Sequence, residues 1–304
     1  MEENLLKQYM TKCTLCPREC GVNRLNGEKG FCGVGADLMI ARGALHMWEE
    51  PCISGKEGSG AVFFSGCSLG CRFCQNEAIS RGKSGKIINV DRLAEIFIKL
   101  QEKNANNINL VTAGHYLPQT AIAIKKARDR GLNIPVVYNS SGYEKKESLE
   151  LLDGLVDVYL PDLKYMDKIL AKKYSHAENY PDVAKSAIKE MLRQVGKPQF
   201  DSRGIMIKGV IVRHLLLPGH VKNSKEVVKY LYNEYVDDIY ISMMNQYTPM
   251  EKMKDDPCLS RKVTKREYER LLDYSISLGV TNAFIQDGET AKESFIPQFD
   301  GEGV

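Results

Sequence analysis

Short apolar runs at 61–65, 108–112, 135–139, 156–160, 209–217 and 239–244 recur along the chain, and the stretches between them are amphipathic. Runs of this length, bounded by Gly, Pro, Asn or Ser, predict buried strands. Between the first two, Leu93, Ile96, Phe97 and Leu100 fall at i, i+3, i+4 and i+7, one face of a helix for which Asp91 offers a cap. Pro118 predicts the start of a second helix that Gly131 ends, and Gly196 closes a third whose Val183, Ala187, Met191 and Val195 face inward. Thr264 and Glu267 have the spacing of a capping box, with Gly279 at the far end of that helix. Strands alternating with helices imply a parallel sheet with right-handed crossovers, so the fold class is α/β. Six such units predict a partial (β/α)6 barrel of the TIM-like kind.

Residues 1–55 depart from this pattern. They are rich in Cys and Gly with little periodicity, and predict a Cys-rich N-terminal extension before a barrel over 56–286 and a tail over 287–304.

With 43% hydrophobic and 27% charged residues among 304, the chain can bury a barrel-sized core. Its net charge of +3 comes with no basic stripe, which excludes nucleic acid and anionic membrane as expected partners. No apolar run is long enough to span a bilayer, and the opening Met-Glu-Glu-Asn lacks the order of a signal peptide. A cytoplasmic location is therefore expected. Nine cysteines, mostly in two tight groups, point to metal ligation in a reducing compartment rather than to disulfides.

One group follows the first predicted strand, where barrels place their chemistry. Gly66-Cys67-Ser68-Leu69-Gly70-Cys71-Arg72-Phe73-Cys74 sets three thiols as C-x3-C-x2-C. Three thiolates in a glycine-bearing loop can wrap one 4Fe-4S cube and leave its fourth iron open to the amino and carboxylate groups of S-adenosylmethionine. The plainer alternative is three buried or zinc-binding thiols. Asp162 and Lys164, two apart at a strand end, leave the same face and can clamp a zwitterion or form an ordinary salt bridge.

The triplet, with aromatic Phe73 before its last Cys, resembles the signature of the radical S-adenosylmethionine superfamily. Pro135-Val-Val-Tyr-Asn-Ser-Ser-Gly142, Tyr159-Leu-Pro-Asp-Leu-Lys164 and Val212-Arg-His-Leu-Leu-Leu-Pro-Gly219 resemble strand ends of the pyruvate formate-lyase activating enzyme group, the glycyl-radical activases. The resemblance implies reductive cleavage of S-adenosylmethionine to a 5′-deoxyadenosyl radical, with Cys67, Cys71 and Cys74 as the catalytic cluster ligands. It further implies Phe73 near the adenine, Asp162 and Lys164 beside the methionine part, and Arg213, Asn139 and Ser140 as additional cofactor contacts. An electron donor such as flavodoxin or ferredoxin is the implied partner, with a glycyl-radical enzyme as the substrate.

The chain departs from the pattern at two places. Where the superfamily has Gly-Gly-Glu after the second strand, this chain has Thr112-Ala113-Gly114-His115, which leaves backbone at Gly114 and a neutral His115 as the expected acceptors for the cofactor's amino group. Asn139 stands where the activases carry Asp, so their cation site lacks its carboxylate here. The tail has no Arg-Val-x-Gly-Tyr pattern, which implies an activator rather than an activated enzyme.

The second group is Cys13-x2-Cys16-x3-Cys20-x11-Cys32, which can close a zinc site or a second iron-sulfur cluster, or stand as reduced thiols in a docked loop. Together with Glu49-Glu-Pro-Cys-Ile-Ser-Gly55 it is similar to a subgroup of activase-like proteins. Cys52 and Cys258 stand apart and read as packing residues. The expected function is activation of a glycyl-radical enzyme by hydrogen abstraction. The alternatives are the same chemistry on a small molecule or another protein, or a non-catalytic iron-sulfur electron-transfer or zinc-binding module.

Overall fold

The computed structural model describes residues 2–286 and 296–304, so 287–295 of the predicted tail lie outside the described residues. Ten strands occur among these: β1 (Leu38–His46), β2 (Ser59–Phe64), β3 (Lys86–Ile88), β4 (Ile108–Val111), β5 (Val136–Ser140), β6 (Val158–Pro161), β7 (Gln199–Phe200), β8 (Met206–Leu215), β9 (Tyr240–Met244) and β10 (Ala283–Ile285). Their order in space is β10-β9-β8-β6-β5-β4-β2-β1-β3, with β7 paired to β8 at the side. From β2 to β10 the pairings along this path are parallel. No pairing joins β3 to β10 among the described residues, so the barrel is open and the predicted partial barrel is the fold.

All six apolar runs are strands, with ends moved by a few residues. Three strands of the continuous sheet were hidden: β1, β10 and the three-residue edge strand β3. β10 is only three residues long, and β1 carries Arg42 and Gly43 at its middle, which dilute its apolar pattern. β1 runs antiparallel to both β2 and β3, so the extension, read as poor in pattern, supplies a strand to the main sheet.

The helix Val90–Glu102 is capped by Asn89, whose Oδ1 accepts the Arg92 N–H at 2.8 Å, rather than by Asp91. Asp91 sits one residue inside the helix, where its carboxylate suits the positive helix end and pairs with Lys126 and Arg130. Pro118 lies in the first turn of Leu117–Asp129, and Gly196 ends Tyr180–Val195. The capping box of Thr264 and Glu267 opens Lys265–Leu278, which Gly279 closes in a left-handed conformation. Ala187, Met191 and Val195 are buried against the sheet, and Val183 packs at the edge of the same core.

A separate, smaller core fills the barrel interior. There Cys52 and Ile53, on the short helix Pro51–Ser54, pack with Val137, Val158, Leu160 and Ile211. Asn107 Nδ2 donates to the Ile53 carbonyl at 2.8 Å and Asn106 Nδ2 to that of Ser54 at 2.7 Å. Because those asparagines immediately precede β4, the short helix plugs the amino-terminal end of the barrel. Cys52 is a packing residue, as expected. No helix among the described residues is long and apolar enough to cross a membrane.

Candidate cluster and cofactor site

The carboxyl ends of the parallel strands carry a row of polar groups that the sheet register brings together. Val111 pairs with Asn139, Ser140 with Pro161, and Arg213 with Ser242. Asp162, just past β6, forms a parallel bridge with Arg213. Asn139, Asp162 and Arg213 each stand two residues beyond an interior apolar residue, Val137, Leu160 and Ile211, so they continue the inward face above the packed core. Above them opens a cavity of about 350 Å³, lined among others by Cys67, Cys71, Cys74, Asp162, Lys164 and Arg213.

The charged groups form one network. Lys164 Nζ lies 2.6 Å from Asp162 Oδ2, and Arg213 Nε lies 3.4 Å from Asp162 Oδ1. Burial pushes the Asp162 carboxyl up, but Lys164 and Arg213 prevail and hold it below the usual carboxylate range. Lys164 remains a cation for the matching reason: Asp162 and the Cys71 sulfur outweigh the burial that favours its neutral form. The pair therefore presents one anion and one cation side by side, complementary to the ammonium and carboxylate of an amino acid.

Gly142 allows the β5 loop to close against this network. Its φ is +74°, and a Cβ there would lie 2.2 Å from the Asp162 carbonyl oxygen. Tyr180 secures the same junction, donating to the carbonyls of Ser141 and Asp162 and accepting from the Lys164 amide at 3.0 Å.

The three thiols of the loop face this cavity. Gly66 and Gly70 have φ of +96° and +67°, the left-handed turns that wrap the loop. Ser175 Oγ donates to Cys71 Sγ at 3.2 Å. Burial pushes the Cys74 thiol up to about 12, so an isolated thiolate is unfavourable there without a cationic partner. No group of three or more His, Cys, Asp or Glu side chains among the described residues is arranged to hold a single metal ion. A cube, whose thiolates attach at separate corners, fits three thiols of one loop better than a shared ion does. Phe73 lines the cavity and meets Tyr174 and Tyr247 edge-on, with centroids 6.3 and 6.1 Å away.

The structure takes His115 elsewhere. Gly114 and His115 begin a tight turn behind β4 and do not line the cavity. His115 Nε2 lies 2.7 Å from the Ser65 carbonyl, and the ring lines a second, small cavity among the N-terminal cysteines. Burial, with Arg24 nearby, keeps the imidazole neutral, its pKa lowered to about 3. Thr112 lines the cavity instead, in a left-handed conformation (φ 63°) that a β-branched residue rarely adopts. The nearby buried acid is Glu144, which accepts from Ser140 Oγ at 3.1 Å and whose carboxyl burial raises to about 8.

Sequence reasoning missed Glu49 and Glu50 as site residues. Glu49 Oε2 lies 3.0 Å from Arg213 Nη1, and its Oε1 accepts from Asn109 Nδ2 at 3.0 Å and Asn139 Nδ2 at 3.4 Å. Arg213 also donates to Asn139 Oδ1. Glu49 thus rises from the plug to fix the two side chains expected to touch cofactor. One signal was available: Asn109 is a lone amide in the apolar run Ile108–Val111, and an inward polar residue in such a strand needs a buried partner.

An open parallel barrel with three loop thiols and a zwitterion-complementary ion pair above its strand ends can hold an iron-sulfur cluster together with a charged small cofactor. The model of the radical SAM superfamily matches residues 61–242, and the chain belongs to that family. Membership implies a 4Fe-4S cluster and S-adenosylmethionine, and the thiols and ion pair fit both. The chain is 31% identical over 282 residues to the uncharacterized protein MJ0674 of Methanocaldococcus jannaschii, covering 90% of this chain and 77% of that protein. Among solved structures, methylornithine synthase (PylB) aligns with TM-score 0.50 and 11% identity over 94% of this chain and 71% of its own. HydG, a maturase of the FeFe-hydrogenase, aligns with TM-score 0.51 and 14% identity over 72% of this chain and 48% of its own. These likenesses show the fold.

Proposed function

We propose that this protein activates a glycyl-radical enzyme, taking electrons from a donor such as flavodoxin or ferredoxin and abstracting hydrogen from a backbone glycine of its partner. The observation that carries the proposal is the shared cavity: Cys67, Cys71 and Cys74 face the same space as Asp162, Lys164 and Arg213. When bound, the cluster supplies one electron to the sulfonium of S-adenosylmethionine, whose carbon–sulfur bond breaks to give methionine and a 5′-deoxyadenosyl radical. The chain's part is to hold the amino-acid end of that cofactor, with Asp162 toward the N–H of its amino group and Lys164 toward its carboxylate, while Glu49 fixes Arg213 beneath. Phe73 supplies an apolar face for the adenine.

The cavity at the strand ends suits a reacting group such as a glycine in an extended loop. It equally suits a small molecule, the second reading. Anaerobic reconstitution with iron and sulfide, followed by dithionite and S-adenosylmethionine, tests the shared chemistry by formation of 5′-deoxyadenosine and methionine. Electron paramagnetic resonance of a candidate glycyl-radical enzyme incubated in the same mixture tests the target: a protein glycyl signal supports activation. Cleavage without that signal in any candidate favours a small molecule.

A further inference from the structure

The quartet Cys13, Cys16, Cys20 and Cys32 has no part in the chemistry above, yet it is built as a site. Together with Arg24 and His115 it lines a small cavity of about 10 Å³. Cys16 is within electrostatic reach of the other three. Phe31 N–H donates to Cys20 Sγ at 3.3 Å, a bond that is stronger to a thiolate than to a thiol. His115 Nε2 meets only a carbonyl, which forces its proton onto Nε2. The bare Nδ1 is fully buried and has no partner.

Arg24 supplies an independent indication. It is 1% exposed, and its guanidinium donates only to the carbonyls of Gly35 and His115, at 2.6 Å each for the shorter bonds. Among the described residues no carboxylate pairs with it, although a buried cation needs an opposite charge. A source within electrostatic reach is Cys32, on which Arg24 acts directly. Four thiolates around a metal carry net negative charge, and that is the counter-charge Arg24 lacks.

We propose that Cys13, Cys16, Cys20 and Cys32 form a second, thiolate-held metal centre, charge-matched by Arg24 and closed by His115, that braces the loop of the first. The quartet is not arranged about a single ion as it stands, so occupancy draws it in around zinc or spreads it over the corners of a cube. Both are the same ligand chemistry. The brace is direct: Arg18, between Cys16 and Cys20, donates to the carbonyls of Ser68 and Leu69 at 3.0 Å each and stacks over Phe31 at 3.9 Å.

The test counts metal in the full chain after Cys67→Ala, Cys71→Ala and Cys74→Ala are combined, so it does not depend on cleavage of S-adenosylmethionine. Anaerobic incubation with zinc chloride, or separately with iron and sulfide, should leave about one zinc or about four irons per chain after desalting. Either result supports the centre and names its filling. Retention of neither metal, in a variant that still melts cooperatively, overturns it. Should that variant fail to fold, the wild type is compared with the chain in which all four quartet residues are Ser. Equal metal content in those two overturns the centre, and a deficit of one zinc or four irons supports it. Arg24→Gln is expected to surrender the metal to a chelator at least tenfold faster than wild type or Arg24→Lys; equal rates overturn the charge match.

Discussion

The two cysteine groups line different cavities and differ in what surrounds them. The triplet opens on a cavity of about 350 Å³ that also holds Asp162, Lys164 and Arg213. The quartet lines about 10 Å³ together with Leu15, Val22, Arg24 and His115. Three thiols would leave a metal group incompletely held beside Asp162, Lys164 and Arg213, whereas four would satisfy it beside Arg24 and His115. In the reading proposed above, the same residue type serves reaction at one site and bracing at the other, according to its neighbours.

The contrast is sharpest for the thiols themselves. Cys67→Ala, Cys71→Ala or Cys74→Ala should each abolish 5′-deoxyadenosine formation, because a cluster with three protein ligands tolerates no further loss. Replacing the quartet by Ser should lower the rate and the melting temperature yet leave some cleavage. If cleavage disappears while the triplet's cluster stays spectroscopically intact, the brace is also a redox or gating element. Asp162→Ala and Lys164→Ala come next. Each loses a charge-assisted contact to cofactor worth about 1.5 to 3 kcal/mol, so the affinity for S-adenosylmethionine should fall roughly tenfold to a hundredfold with cluster iron unchanged. Unchanged affinity in both would reduce the pair to a structural salt bridge.

A smaller effect is expected from Glu49→Gln, which keeps the side-chain shape but removes one of two anions from Arg213. Cofactor affinity should drop by roughly threefold to tenfold, since Asp162 still holds the guanidinium. The smallest effect on activity concerns Glu144. The folded protein keeps this proton up to about pH 8, whereas an ordinary Glu releases it near 4.5, so folding takes up a proton between those values. Stability contributed by this group accordingly falls as pH rises through that window. Glu144→Gln should flatten that decline in thermal melts recorded from pH 5 to 8 without changing metal content; an unaltered slope would show that Glu144 ionises normally.

Most of the barrel was legible because its strands are short apolar runs whose register follows from parallel pairing. The triplet was legible from its spacing in the loop after β2, and the pair Asp162 and Lys164 because a spacing of two sends both side chains to one side of the chain. His115 was not. Its place depends on the tight turn at Gly114, which carries the ring behind β4 toward Ser65, and no periodicity encodes that turn. Glu49 escaped for a different reason: it reaches the site from β1 and the plug, across the barrel interior, so its partners Asn109, Asn139 and Arg213 are 60, 90 and 164 residues away.

The plug also bears on how the chain assembles. Pro51–Ser54 sits between β1 and β2 in sequence, and the strands that enclose it, β5, β6 and β8, all come later. A ribosome therefore delivers the stopper before the wall, and each later strand can be laid against a hairpin that already carries it. A circular permutant beginning after β2 would reverse that order and have to insert Cys52 and Ile53 into a sheet already formed, so its folding should slow far more than its final stability suffers.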